Sequence, residues 1–224
     1  MAEALDAGVE VVEVYAEPGA PADVVAAVRA AGIPVRDVEA GSLAKATSPV
    51  TPQPLAALAA LPPEPPSAVL GGLVLVLVGV ADPGNAGTLL RVAEASGASA
   101  VVSCADAVDL WNPKCVRASA GSIFRVPVVV ADRADGAIAR LRDAGMTVVA
   151  TTLADAVGLD EADLTGPVAV LLGNEAHGLP DDVVALADVA VRIPMVGNVE
   201  SLNVAMTGTV VAFEAARQRR AAAP

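Results

Sequence analysis

From residue 73 onward the chain repeats one pattern, and that pattern narrows its fold more than any other feature. Short runs rich in Val and Leu, at Leu73–Val78, Ala100–Ser103, Val126–Val130, Thr147–Ala150, Val168–Leu172 and Val189–Ile193, are separated by stretches with helical spacing. Runs of this length without polar alternation read as strands buried on both faces. Strands that alternate with helices build βαβ units, so the expected fold class is α/β, a parallel sheet with flanking helices. Helical segments at Thr88–Ser96 and Ala134–Ala144 are followed by Gly97 and Gly145, where a left-handed cap belongs. A last helix is expected from about Leu202 to Arg219, with Ser201 as its N-cap. Hydrophobic residues make up 54% of the chain and aromatics only 2%, so the core must be assembled from Val, Leu, Ile and Ala.

The segment before this array is organised differently. Within residues 1–48 an alternating run, Glu10–Tyr15, precedes a helical pattern, Ala22–Ala31, and a short strand around Pro34–Val38, which together form a small α/β unit. Its opening helical segment, Ala2–Leu5, has no cap before it, so the unit is expected to be a shortened one. Residues 49–66 hold prolines at 49, 52, 54, 62, 63, 65 and 66 and read as a linker around one helical turn, Leu55–Leu61. Residues 67–224 form the larger domain. The 14-residue apolar stretch Ala68–Ala81 falls short of the roughly 20 residues that cross a bilayer. With no secretory signal visible, no membrane association and a cytoplasmic location are expected.

Cys104 and Cys115 form no Cys-x-x-Cys pair and have no clustered histidines, so they read as packing residues, and no metal is expected. The net charge of −12 opposes binding to nucleic acid, whose phosphates call for Lys and Arg. Yet Arg91, Lys114, Arg117 and Arg125 fall within one stretch, and Arg217, Arg219 and Arg220 lie near the end, which leaves room for a local basic face.

Three segments depart from what a sheet core needs. Asp82-Pro83-Gly84-Asn85-Ala86-Gly87 follows a strand and leads into a helix carrying Arg91. Polar groups at the carboxyl end of parallel strands are where such folds hold ligands, although these same residues also make ordinary turns. Leu171-Leu172-Gly173-Asn174-Glu175-Ala176-His177-Gly178-Leu179 again follows a strand. Its glycine permits close backbone approach and its carboxylate can orient a cation, whereas His177, the only histidine, reads as a surface loop residue. Ile193-Pro194-Met195-Val196-Gly197-Asn198-Val199-Glu200-Ser201-Leu202-Asn203-Val204 runs from strand through loop to helix start. A buried Asn203 inside the helix would be a poor choice for stability, which marks it as functional. No G-x-G-x-x-G and no G-x-x-x-x-G-K-[ST] loop accompanies these segments, so the usual phosphate cradles are missing.

Together the three segments resemble the motifs of the SpoU (TrmH-like) family of the SPOUT superfamily, in the same order. Asp82-Pro83-x-Asn85-x-Gly87 with Arg91 is similar to the first, Leu172-Gly173-Asn174-Glu175-x-x-Gly178 to the second, and Ile193-Pro194-Met195-x-Gly197 with Ser201-Leu202-Asn203-Val204 to the third. Ala118-Ser119-Ala120-Gly121-Ser122 before Phe124-Arg125-Val126-Pro127 also fits, so the likeness covers about residues 70–218. The resemblance implies a C-terminal trefoil knot, in which the chain after Val168–Leu172 threads an earlier loop. It also implies S-adenosylmethionine bound in that knot mostly by backbone groups, at Gly173, Ile193 and Leu202 with Leu172 and Met195 beside them. The activity implied is methyl transfer to a ribose 2′-hydroxyl of RNA, rRNA before tRNA.

By the same resemblance Arg91 activates the hydroxyl, Asn85 and Glu175 fix Arg91 and the target ribose or phosphate, and Ser201 and Asn203 hold the substrate. A homodimer packed through the last helix is implied, so that the apolar face with Val204, Val211 and Phe213 would be interface as well as core. The first unit is similar, less specifically, to the ribosomal-protein-like RNA-recognition domain that precedes many SpoU domains, but it is acidic where that domain is basic. Two other classes stay open at this point: an RNA-binding homologue without turnover, and a dinucleotide-dependent oxidoreductase on a doubly wound sheet.

Overall fold

Five consecutive residues, Leu73–Leu77, are buried without exception, and they form a central strand of the larger sheet. The computed structural model describes residues 1–46, 53–65, 69–104, 106–153, 156–197, 199 and 201–222. It divides into two compact units, Met1–Pro63 and Glu64–Pro224.

In the first unit the order is α1 (Ala2–Asp6), β1 (Val11–Ala16), α2 (Ala22–Ala30), β2 (Val35–Asp37), α3 (Ser42–Ala46) and β3 (Leu55–Ala59). β1 is the middle strand, parallel to β2 and antiparallel to β3. The expected helical turn over Leu55–Leu61 is therefore a strand. Leu and Ala favour helix, but β1 offers an open row of donors and acceptors, and pairing with it overrides the local preference. Backbone bonds from Glu17 to Pro54 (2.9 Å) and from Ala60 to Glu10 (2.9 Å) extend the pairing at both ends.

The second unit runs β4 (Leu73–Leu77), α4 (Pro83–Ser96), β5 (Ala100–Cys104), α5 (Pro113–Ala118), β6 (Val128–Ala131), α6 (Ala134–Asp143), β7 (Thr147–Thr151), β8 (Val157–Gly158), β9 (Val168–Leu172), α7 (Asp181–Val184), β10 (Val189–Arg192) and α8 (Val204–Ala222). Its seven strands lie in the order β6-β5-β4-β9-β7-β10-β8, and every pairing is parallel. The two-residue β8 is too short to show in the sequence pattern. Gly97 (φ 75°) and Gly145 (φ 76°) take the left-handed conformation expected at helix ends.

Successive side chains of each strand point to opposite faces, and the core divides accordingly. Leu73, Leu75, Leu77, Val170 and Leu172 pack with Leu89 and Leu90 of α4 and Val211, Ala212 and Ala215 of α8. Val74, Val76, Ala169 and Leu171 pack on the other face with Ile138 and Leu141 of α6. Each such Leu contributes about 1.5–3 kcal/mol by leaving water. Both cysteines are buried and free, and burial pushes the Cys104 thiol up to about 11 and Cys115 to about 12. They are inert packing residues.

Helix α8 lies close because Gly208 has no side chain. A Cβ there would sit 2.3 Å from Leu89 Cδ2 and 3.0 Å from Leu172 Cδ1. Val204 and Val211 are buried within the protomer, so they form the core part of a face expected to be both interface and core. The apolar residues that α8 leaves exposed are Met206, Val210 and Phe213, spaced so that they share one stripe. No helix among the described residues is long and apolar enough to cross a membrane. Gly208→Ala should force Leu89 and Leu172 from their rotamers, at a cost of about 1–3 kcal/mol, seen as an earlier urea midpoint with unchanged slope.

Candidate active site

Because the seven strands are parallel, their carboxyl ends share one edge, and the three polar segments all leave from it. Leu77 of β4 pairs with Leu172 of β9, Ala150 of β7 with Leu171, and Val191 of β10 with Thr151. The loops after β4 and β9 are thus neighbours, and β10 lies beyond β7 on the same edge.

Asp82-Pro83-Gly84-Asn85 is not a turn before a helix but the first turn of α4 itself. Asp82 caps it, its carboxylate accepting the Asn85 N–H at 2.8 Å, and Pro83 occupies the first helical position, where a missing N–H costs nothing. Asn203 does the same for α8. Its Oδ1 accepts the N–H groups of Ala205 (2.9 Å) and Met206 (3.4 Å). Asn203 is therefore an exposed N-cap outside the helix, not a buried residue within it. Ser201 lies two residues further out and does not cap. An amide oxygen reaches the second and third N–H from the cap position, which fixes the helix start at Val204.

The three segments are joined by one carboxylate. Glu175 accepts the N–H of Ala81 (3.1 Å) and Asp82 (3.0 Å) and the Asn85 side-chain amide (2.9 Å). Asn85 in turn accepts from the Asn203 amide at 3.0 Å. Behind them the Asn174 amide donates to the Gly79 carbonyl at 2.8 Å, and its oxygen accepts the N–H of Ala176 (2.9 Å) and His177 (3.2 Å). The loop after β9 returns so sharply that a Cβ on Gly173 would lie 2.3 Å from the Gly178 carbonyl carbon. Only glycine fits there. His177 is exposed and leans on Asn174 through its ring nitrogen at 3.2 Å, as a loop residue would.

Partial burial alone would raise the Glu175 pKa, but the Asn85 amide and the Ala81 and Asp82 N–H groups outweigh it and hold the carboxyl below its usual range. Glu175 touches no cation among the described residues. Arg91 lies six residues beyond Asn85 on α4, exposed, and no hydrogen bond joins it to Asn85 or Glu175.

Of the expected cofactor residues, Leu172 and Gly173 are buried at the end of β9, Ile193 and Leu202 are half-buried and Met195 is exposed. Among the described residues the backbone groups of Gly173, Ile193, Met195 and Leu202 make no hydrogen bond to other backbone groups. Of the four only Gly173 is buried, where backbone groups are ordinarily paired. Unpaired donors and acceptors beside an apolar floor suit a ligand such as a nucleoside joined to an amino acid. Asp82 and Asn174 lie within the motifs, yet sequence reasoning assigned neither a role. Asp-Pro opening a helix was a readable signal for Asp82, whereas the reach of Asn174 to Gly79 depends on tertiary structure.

The family model for the SpoU rRNA Methylase family matches residues 72–213. The 23S rRNA (guanosine-2′-O-)-methyltransferase RlmB of Ralstonia nicotianae is 38% identical over 147 residues, which are 66% of this chain and 59% of that protein. The chain thus spans about three-fifths of the length of such curated relatives. The SpoU methyltransferase AviRb from Streptomyces viridochromogenes superposes with a TM-score of 0.84 at 28% identity, over 98% of this chain and 86% of AviRb. An AdoMet-bound rRNA methyltransferase from Sinorhizobium meliloti gives 0.83 at 33% identity, over 100% of this chain and 85% of the other.

Glu175→Gln would turn an NH2 group toward backbone donors. Since the native carboxyl pKa is lowered, its contribution to stability is present above the usual glutamate value of about 4.3 and is lost as pH falls through the lowered value. The variant should melt about 2–4 °C below the parent at neutral pH. A thermal series should show that gap closing below about pH 4.

Proposed function

The chain belongs to the SpoU rRNA methylase family, and we propose on that premise that it transfers a methyl group from S-adenosylmethionine to a ribose 2′-hydroxyl of RNA, rRNA before tRNA. The observation that carries this reading is the hydrogen-bonded chain Asn203–Asn85–Glu175, which ties three loops distant in sequence into one polar edge. The Ralstonia nicotianae relative, a 23S rRNA methyltransferase by name, supports rRNA as the substrate. The Sinorhizobium meliloti neighbour, a structure with AdoMet bound, supports the cofactor.

S-adenosylmethionine supplies a methyl group on a positively charged sulfur, already a strong electrophile that requires no metal. The backbone groups at Gly173, Ile193, Met195 and Leu202 would hold it, with Leu172 as an apolar floor. What remains for the protein is to bring a weak nucleophile into line and to take up its proton. Asn85 and Asn203, locked by Glu175, Asp82 and the start of α8, present amide groups to the sugar, and Ser201 stands beside them. Arg91 would meet the hydroxyl and favour loss of its proton to solvent, while the cofactor would supply the methyl group and leave as S-adenosylhomocysteine.

In this reading the chain after β9 threads the trefoil knot, a topology that the sharp return at Gly173 and the bond from Asn174 to Gly79 accommodate. Two copies pair through the stripe Met206, Val210 and Phe213, in the cytoplasm where the RNA resides. The first unit is an RNA-recognition domain. Its only cations are Arg29, Arg36 and Lys45, so the larger unit carries most of the RNA contact.

Arg91→Ala should reduce methyl incorporation into RNA at least 100-fold while S-adenosylhomocysteine still binds. Unchanged turnover would remove Arg91 from the mechanism. A parent protein that binds NAD and not S-adenosylhomocysteine would end the methyltransferase reading. One that binds RNA and cofactor without turnover would be a silent homologue.

A further inference from the structure

In so acidic a chain most cations are already taken, and the exceptions are unevenly placed. Arg125 is held by Glu94, Arg133 by Asp135, Arg140 by Glu64, Arg142 by Asp188 and Arg217 by Glu214. By contrast the side chains of Arg91, Lys114 and Arg117 bond no described residue, and Arg91, Lys114 and Arg117 all lie on α4 or α5. Lys45, Arg192 and Arg220 are also unpartnered among the described residues, but they stand apart on α3, at the end of β10 and near the end of α8.

Lys114 and Arg117 are three residues apart on α5 and share one flank of it. That helix presses on α4 where a Cβ on Gly87 would lie 2.4 Å from Ala118 Cβ and 2.9 Å from the Cys115 carbonyl oxygen. Gly87 is two residues past Asn85 and about 6 Å along the helix before Arg91. Ala118, next in chain to Arg117, therefore packs on α4 between Asn85 and Arg91. Asp109, in the loop before α5, accepts the Trp111 N–H at 2.9 Å, and its charge reaches Cys115. Asp106 is exposed in the same loop.

We propose that Lys114 and Arg117 form a phosphate-binding strip that takes the RNA backbone beside the nucleotide presented to Arg91. The proposal rests on the RNA methyltransferase reading and extends it to a surface that the three motifs do not include. A paired arginine that moves to a phosphate leaves its carboxylate facing that phosphate, and most of the gain is cancelled. An unpaired cation keeps the full benefit of released counterions. On a protein with a net charge of −12, affinity for RNA has to come from such a local concentration of free charge.

The test measures binding of in vitro transcribed 23S rRNA to the full chain over roughly 50–200 mM salt. Lys114→Ala/Arg117→Ala should weaken binding about tenfold at the low end and reduce the slope of log K against log salt by about 1.4–1.8. Melting temperature and S-adenosylhomocysteine affinity should stay at the parent values, and Arg133→Ala should leave the slope unaltered. A double variant with the parent slope would overturn the strip, as would a parent that binds no RNA at low salt. Competition by poly-glutamate as strong as by RNA would overturn it in favour of an acidic protein partner. The two readings fail separately. A methylating parent whose double variant keeps the slope loses only the strip, whereas a strip-dependent slope without methyl transfer keeps the strip and loses the reaction.

Discussion

The site depends on where the Glu175 carboxylate is placed. Its oxygens collect two backbone N–H groups from the end of the loop after β4 and the amide of Asn85, so a single charge closes the gap between two neighbouring strand ends. A carboxylate that receives several donors of this kind is held in its ionised form and in one orientation. Asn85 then has its amide nitrogen engaged, and its oxygen is turned to Asn203. The geometry of the third loop thus follows from that of the second, which follows from the sheet register.

The parallel sheet was legible because its cause is local and repeated. Five-residue runs such as Leu73–Leu77 and Val168–Leu172 are buried on both faces, and burial on both faces is what removes the polar alternation from the sequence. Leu55–Ala59 was misread because its residues favour helix and its pairing partner, β1, lies some forty residues earlier. The site was legible in residue type but not in role. Ser201 looked like the cap of α8 because Ser caps helices, yet Asn203 does so and also reaches Asn85. One side chain that serves both ends of such a link leaves no trace in the spacing of residues.

Charge follows the same division between sum and placement. The sequence total opposes binding to a polyanion, and ion pairs such as that of Arg217 with Glu214, whose carboxyl Arg217 and Gln218 hold down at about 2, leave that total unchanged while fixing where unpaired charge remains. Once these pairs are set aside, what a nucleic acid meets near α4 and α5 is not the average surface of the protein.

Helix α8 is pinned at its start by Asn203 to the polar edge and near its end by Gln218, which bonds Ala162 (3.0 Å) and Leu164 (2.8 Å), and by Arg219, which bonds Gly166 (2.7 Å). Met206, Val210 and Phe213 lie between these anchors. A rod fastened at both ends passes on any push applied to its middle. A neighbour that settled on those three side chains would therefore act, through less than three turns of helix, on the Asn203 amide and on the polar edge that it closes.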